Sequence, residues 1–126
     1  MPRRFDHIDL RVRRLPEVRR FYEELLPALG FTRDVRIEGW LTYEAEGDAG
    51  SSEFFGVAES GSHVTNESRV AFRAGIIEDV DRLADIAVRA GAQHVEGPMF
   101  YDDDAYYAVF FEDPSGNRLE ICCRER

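Results

Sequence analysis

Arg69-Val70-Ala71-Phe72-Arg73-Ala74 decides the reading of this chain, because it repeats what Phe5-Asp6-His7-Ile8-Asp9-Leu10-Arg11-Val12 has already done. In both stretches apolar and polar residues alternate, the mark of a strand with one face against a core. A helical pattern follows each of them. A displacement of 62 positions lays Ile8 on Val70, Leu10 on Phe72, Val18 on Val80 and Phe21 on Leu83. Self-similarity over such a distance marks a repeated structural module.

Working outward, Pro16 suits a first helical turn, and Val18, Phe21, Tyr22, Leu25 and Leu26 recur at helical spacing until Gly30. Strands are predicted over 32–37, 40–45 and 53–58, parted by Glu38-Gly39 and by the Gly- and Ser-rich stretch 46–52. In the second cycle Val80, Leu83, Ile86, Ala87 and Ala90 carry a helix that Gly91 closes. Strands follow over 93–95, 106–111 and 117–124, the last two joined by Asp113-Pro114-Ser115-Gly116-Asn117. The chain reads as α+β: one domain of two βαβββ modules, spanning about residues 4–60 and 68–124. A half of about 60 residues buries little apolar surface alone. The expectation is therefore a shared, cupped, mixed eight-stranded sheet with helices on its outer face. Ile8, Leu10, Val12, Val70, Phe72, Leu119 and Ile121 would meet the helices. His7, Asp9, Arg11, Arg69, Ala71, Arg73, Arg118, Glu120 and Cys122 would line the inner face.

The formal charge of −9 opposes a phosphate-collecting surface, so nucleic acid is not an expected partner. The arginines at 3, 4, 11, 13, 14, 19 and 20 are interleaved with Asp6, Asp9, Glu17, Glu23 and Glu24, as on a solvated, salt-bridged surface. No apolar run approaches the roughly 20 residues of a membrane span, and no hydrophobic signal segment follows Met1-Pro2-Arg3-Arg4. A cytoplasmic protein is expected. Cys122 and Cys123 are adjacent, point to opposite strand faces, and read as reduced core thiols. A Gly-rich phosphate loop, Cys-based zinc spacing and a Gly-x-Ser-x-Gly elbow are all missing from the sequence, which removes kinase and hydrolase readings.

Phe5-Asp6-His7-Ile8-Asp9-Leu10, the helix ending Phe21-Tyr22-Glu23-Glu24-Leu25-Leu26-Pro27-Ala28-Leu29-Gly30-Phe31, the strand Val70-Ala71-Phe72-Arg73, and Phe111-Glu112-Asp113-Pro114-Ser115-Gly116-Asn117-Arg118-Leu119-Glu120 together resemble the glyoxalase, bleomycin-resistance and extradiol-dioxygenase (vicinal oxygen chelate) superfamily. The resemblance implies a divalent metal (Mn, Fe, Ni, Co or Zn) held on the inner face, with one ligand from the first and one from the fourth strand of each module. His7 and Glu120 stand at two of those positions and are of ligating type. Arg69 stands at the third, and the fourth falls among Phe54, Phe55 and Gly56. A guanidinium has no lone pair to donate and repels a cation. An Arg69–Glu120 ion pair, with His7 alongside, is expected in place of the metal, or a shifted register that turns Glu59, His63 or Glu67 inward.

Catalytic or ligand-binding candidates are therefore His7, Arg69, Glu120 and Tyr107, with Trp40, Phe55, Phe100 and Tyr101 as pocket walls. Residues 97–105 read as a loop over the mouth; its aspartates at 102–104 read as a solvated acidic turn before a calcium site. His63 and His94 read as solvated. The resemblance implies a small oxygenated organic ligand, a homodimer, and either lyase, isomerase or dioxygenase chemistry or non-catalytic sequestration of a drug or metabolite.

Overall fold

A computed structural model describes residues 4–47, 51–102 and 105–124. The aspartates at 103 and 104, the basic Met1–Arg3 and the turn residues at 48–50 lie outside the described residues. The chain divides into two compact units between Val64 and Thr65.

In the first unit β1 (His7–Val12) leads into α1 (Leu15–Ala28), then β2 (Arg33–Asp34), β3 (Trp40–Ala45) and β4 (Glu53–Glu59). The second unit repeats this with β5 (Arg69–Arg73), α2 (Ile77–Ala90), β6 (Gln93–Tyr101), β7 (Tyr106–Glu112) and β8 (Arg118–Cys123). Both are βαβββ. Where alternation alone draws one eight-stranded sheet, the hydrogen bonds form two sheets of four, ordered β1-β4-β3-β2 and β5-β8-β7-β6. The reason is local. A helical crossover returns each chain far enough for the first strand to pair in parallel with the fourth of its own unit, and the remaining ladders are antiparallel.

Register sorts each sheet into two faces. In the first unit Ile8, Leu10 and Val12 share a face with Leu41, Tyr43, Phe55 and Val57. Tyr22 of α1 and Phe31 just beyond it set their rings 6.1 and 6.2 Å from that of Phe55. Phe21, Tyr22, Leu25, Leu26, Phe55 and Val57 are almost wholly buried. At roughly 1.5–3 kcal/mol per buried large apolar side chain, this layer is what holds the unit closed. Glu59 Oε1 accepts the Leu15 N–H at 2.8 Å, so Glu59 caps α1, whose own N-cap Arg14 offers no side-chain bond. That employment takes Glu59 out of the set of replacement metal ligands.

The second unit follows the same plan: Val70, Phe72, Leu119, Ile121, Val109 and Phe111 face α2. Helix α2 ends at Gly91, whose φ of 117° is the left-handed conformation that a residue without a Cβ adopts at little cost. The turn into β8 is organised by Asp113, fully buried, whose Oδ1 accepts the N–H groups of Ser115 and Asn117 at 2.8 and 2.9 Å while Oδ2 accepts from Asn117 Nδ2 at 3.0 Å.

Two expectations change. The stretch 97–105 is not all loop, since β6 runs on through Tyr101; as an edge strand it absorbs Pro98 and two register shifts against β7. The second strand is only Arg33–Asp34, because Arg36 turns the chain away at a φ of 60°.

Candidate functional site

The helix-free face of each sheet holds an open cavity. In the first unit its volume is about 300 Å³, and it is lined by His7, Asp9, Val35, Ile37, Trp40, Thr42, Phe54 and Gly56. His7, Asp9, Phe54, Gly56, Trp40 and Thr42 reach it because alternation puts them opposite the core set.

His7 sits in a carboxylate environment, with Nδ1 2.9 Å from Asp6 Oδ2 and Nε2 3.7 Å from Asp9 Oδ2. The hydrogen bond to Asp6, with the charge of Asp9 behind it, raises its pKa above the usual histidine value. Trp40 leans across Gly56: a Cβ at Gly56 would lie 3.1 Å from the indole and 3.2 Å from Thr42 Oγ1. The Arg11 guanidinium stacks 4.8 Å from the centre of the Trp40 ring. Thr42 is 7% exposed, and among the described residues its Oγ1 has no hydrogen-bond partner. An unsatisfied buried hydroxyl costs about 1–3 kcal/mol.

In the second unit a cavity of about 380 Å³ is lined by Arg69, His94, Glu96, Tyr101, Phe110, Phe111, Glu112 and Arg118. Arg69 and Arg118 are register partners and stand side by side. The Arg69 guanidinium lies 4.7 Å from the centre of the Phe110 ring. His94, expected to be solvated, extends an exposed ring whose Nδ1 is 3.0 Å from Glu112 Oε1 at the cavity edge. Glu120 is opposite Ala71, on the same face as Arg69 but one step further along the face. It is 5% exposed, and among the described residues its Oε2 has no hydrogen-bond partner. Burial raises its pKa above the usual carboxyl value, outweighing the fields of Arg69 and Arg124. Tyr101 OH is likewise buried without a partner, and burial raises its pKa.

Several expectations are corrected here. No Arg69–Glu120 ion pair appears among the contacts within 4.0 Å of the described residues; the Arg69 guanidinium lies on Phe110 and acts on Glu120 through its field. Tyr107 does not face the cavity. It lies opposite Cys123 on the α2 side, where its phenol donates to Asp81 Oδ1 at 2.6 Å, and that bond, with burial, pushes its pKa up to about 12. Phe55 is a core residue under α1, and its neighbour Phe54 lines the cavity instead. Phe100 stands opposite Tyr107 with rings 4.8 Å apart, and its neighbour Tyr101 lines the second cavity. Each of these aromatic side chains is one residue out of phase with the open face. His63 and Glu67 line neither cavity.

Thr42 and Phe110 carried no separate signal in the sequence, Gly56 entered only among the fourth-strand positions, and Arg118 only as one of the inner-face residues. The repeat alone would not have matched Gly56 to Glu120, since a displacement of 62 carries Gly56 to Arg118; the ladders do so, with Gly56 opposite Asp9, Glu120 opposite Ala71, and Asp9 matching Ala71. The position in the first unit that matches Glu120 therefore holds no side chain. His7 faces a bare backbone in one unit and Glu120 faces guanidinium groups in the other. Among the described residues no group of three or more His, Cys, Asp or Glu side chains is arranged to hold a metal ion. At two of the four positions where the resemblance implies ligands, Arg69 and Gly56 offer no side-chain lone pair to a divalent metal.

A family model described as "Glyoxalase/Bleomycin resistance protein/Dioxygenase superfamily" matches residues 4–121. A glyoxalase/bleomycin resistance protein from Albidiferax ferrireducens T118 is similar in structure, with a TM-score of 0.76 and 26% identity over 96% of this chain and 98% of the other. A putative glyoxalase from Bacillus halodurans gives 0.75 and 23% over 95% of each. The fosfomycin resistance protein FosX from Mesorhizobium loti shares the fold, with 0.68 and 18% over 98% of this chain and 93% of that one. No curated protein matches the sequence. With the family model spanning nearly the whole chain and both βαβββ units in place, this protein belongs to the glyoxalase/bleomycin resistance/dioxygenase superfamily.

Proposed function

We propose that this protein binds a small oxygenated organic molecule on its helix-free sheet faces and does so without a metal. The observation that carries this reading is the pair of open cavities, about 300 and 380 Å³, each within the size range of small-molecule sites. In the second unit Arg69 and Arg118 offer charge to ligand oxygens, with Phe110 and Tyr101 as walls. In the first, His7 and Trp40 play the corresponding parts. Thermal-shift screening of small oxygenated compounds tests the proposal. A hit should lose most of its stabilisation in Arg69→Ala or Trp40→Ala and keep it in the presence of a chelator. Stoichiometric tight binding of Mn, Ni or Zn by the purified protein would overturn the metal-free reading.

One observation favours turnover over sequestration. Glu120 is a buried carboxyl with an unpartnered oxygen and a raised pKa, which suits a group that holds or passes a proton in isomerase or lyase chemistry. Loss of hit conversion in Glu120→Gln with binding retained would support that reading; recovery of an unchanged ligand from the wild type would leave sequestration. The proposed assembly is a homodimer, supported by the edge strand β6 with exposed Val95, Met99 and Phe100, and light scattering tests it. A cytoplasmic location is proposed with it, in keeping with two buried, unpaired cysteines.

A further inference from the structure

Resting on the ligand-binding reading above, we infer that the cavity of the first unit takes an uncharged ring bearing a hydroxyl or carbonyl oxygen, and that Thr42 fixes that oxygen. Three features of the cavity lead there. Its walls are mainly apolar: Val35, Ile37, Trp40 and Phe54 surround a floor left bare at Gly56. The Trp40 indole covers that floor, 3.1 Å from where a Gly56 Cβ would stand, so a ring stacks beside the indole and reaches the floor only when the indole shifts.

The polar group within this lining that lacks a protein partner is Thr42 Oγ1. The residue is 7% exposed, and its hydroxyl is directed to the space above Gly56, within 3.2 Å of where a Cβ would stand. Its neighbours across the sheet are Gly56, which has no side chain, and Val35, whose N–H is already donated to the Thr42 carbonyl at 2.9 Å. Among the described residues the Thr42 hydroxyl has no hydrogen-bond partner on either flank. A ligand oxygen that displaces the indole edge over Gly56 would satisfy the hydroxyl, as donor or acceptor, and would report itself through Trp40.

Charge at the mouth selects against ions. Asp6 and Asp9 are set against His7, and Arg11 already lies over the Trp40 ring, so both signs are present and engaged. A carboxylate would meet Asp9, and an ammonium would meet Arg11. The second cavity differs, since Arg69 and Arg118 stand together there.

Trp40 is the single tryptophan of the chain, so its emission reports this cavity alone. The experiment titrates the whole protein with benzyl alcohol, toluene and benzoate, following Trp40 fluorescence beside calorimetry. Benzyl alcohol should shift the emission saturably, toluene should bind about fivefold more weakly, and benzoate should leave it unchanged. Thr42→Val should bring benzyl alcohol down to the affinity of toluene, and Thr42→Ser should restore the difference. Equal affinities for benzyl alcohol and toluene in the wild type would mean that solvent satisfies the hydroxyl and would overturn the inference. So would a silent Trp40 with all three probes, or an unaltered preference in Thr42→Val. Trp40 silent with every probe, beside calorimetric binding of benzoate that is lost in Arg69→Ala, would sink this inference and leave the ligand-binding reading standing. No calorimetric binding of any probe or of the screening hits would sink both.

Discussion

The two units carry the same strand order and pair their first, third and fourth strands in matching register, yet their open faces are chemically unlike. His7 in the first corresponds to Arg69 in the second, Asp9 to Ala71, Gly56 to Glu120, and Phe54 to Arg118. Aromatic bulk has also changed rung: Trp40 matches Ala108, and Thr42 matches Phe110. Where the first unit leaves a bare floor under an indole, the second fills that rung with a carboxyl and a phenyl ring. One feature is kept. Glu44 bonds Arg33 at 2.6 Å across β3 and β2, and Glu112 bonds His94 at 3.0 Å across β7 and β6. The backbone ladder dictates where side chains stand, and the helix-facing half must stay apolar to bury its area. The open half is free to diverge, and so one fold presents an apolar cavity and a charged one.

The largest effect separates the two faces of a single strand. Phe55→Ala should cost about 3–5 kcal/mol in urea unfolding, because it removes the ring that Tyr22 and Phe31 pack upon. Its neighbour Phe54→Ala should cost under about 1 kcal/mol. Equal costs would mean that β4 does not divide core from cavity at this point.

Next is Glu120→Gln, which removes the charge at the position that Gly56 holds in the first unit. Because burial raises the carboxyl's pKa in the folded state, the folded chain holds a proton that the unfolded chain releases near the ordinary value of 4.5. The stability this proton provides is complete below that value and is lost as pH rises through the raised folded value. The variant should therefore be more stable than wild type at neutral pH, by about 1–2 kcal/mol, with the difference closing below the ordinary carboxyl range. Parallel pH–stability curves for the two proteins would contradict the assignment.

Smaller again is Asp81→Asn, directed at the helix-facing side of β7. Tyr107 should then titrate below about 12, moving toward the ordinary 10.0, as read from phenolate absorbance. The lost charge-assisted bond should cost about 0.5–1.5 kcal/mol. The smallest effect is at His7. Asp6→Asn should lower its titration midpoint in NMR, since the Asp6 bond is the main cause of its raised pKa. The linked stability is present below the ordinary histidine value and fades as pH rises through the raised one. On so exposed a side chain it should leave the melting temperature unmoved.

What the sequence determined by itself was the module: period-two alternation in β1 and β5, helical spacing ending at Gly30 and Gly91, and the displacement that relates the halves. These follow from local geometry, because a strand face and a helix face are set by the chain's own periodicity. It also placed His7, Arg69 and Glu120 on open faces, since each lies within a short alternating strand where parity can be counted from apolar neighbours. Phe54-Phe55, Phe100-Tyr101 and Tyr106-Tyr107 resisted such counting. When both members of a pair are aromatic, composition does not say which one turns to the core, and a slip of one residue exchanges the faces. Only the ladders decided those positions, together with the pairing of each first strand to its own fourth strand. Only the tertiary structure set Arg69 upon Phe110, left Glu120 Oε2 and Thr42 Oγ1 without partners, and drew Tyr107 to Asp81. Those contacts join residues far apart along the chain, so their distances depend on how strands and helices pack.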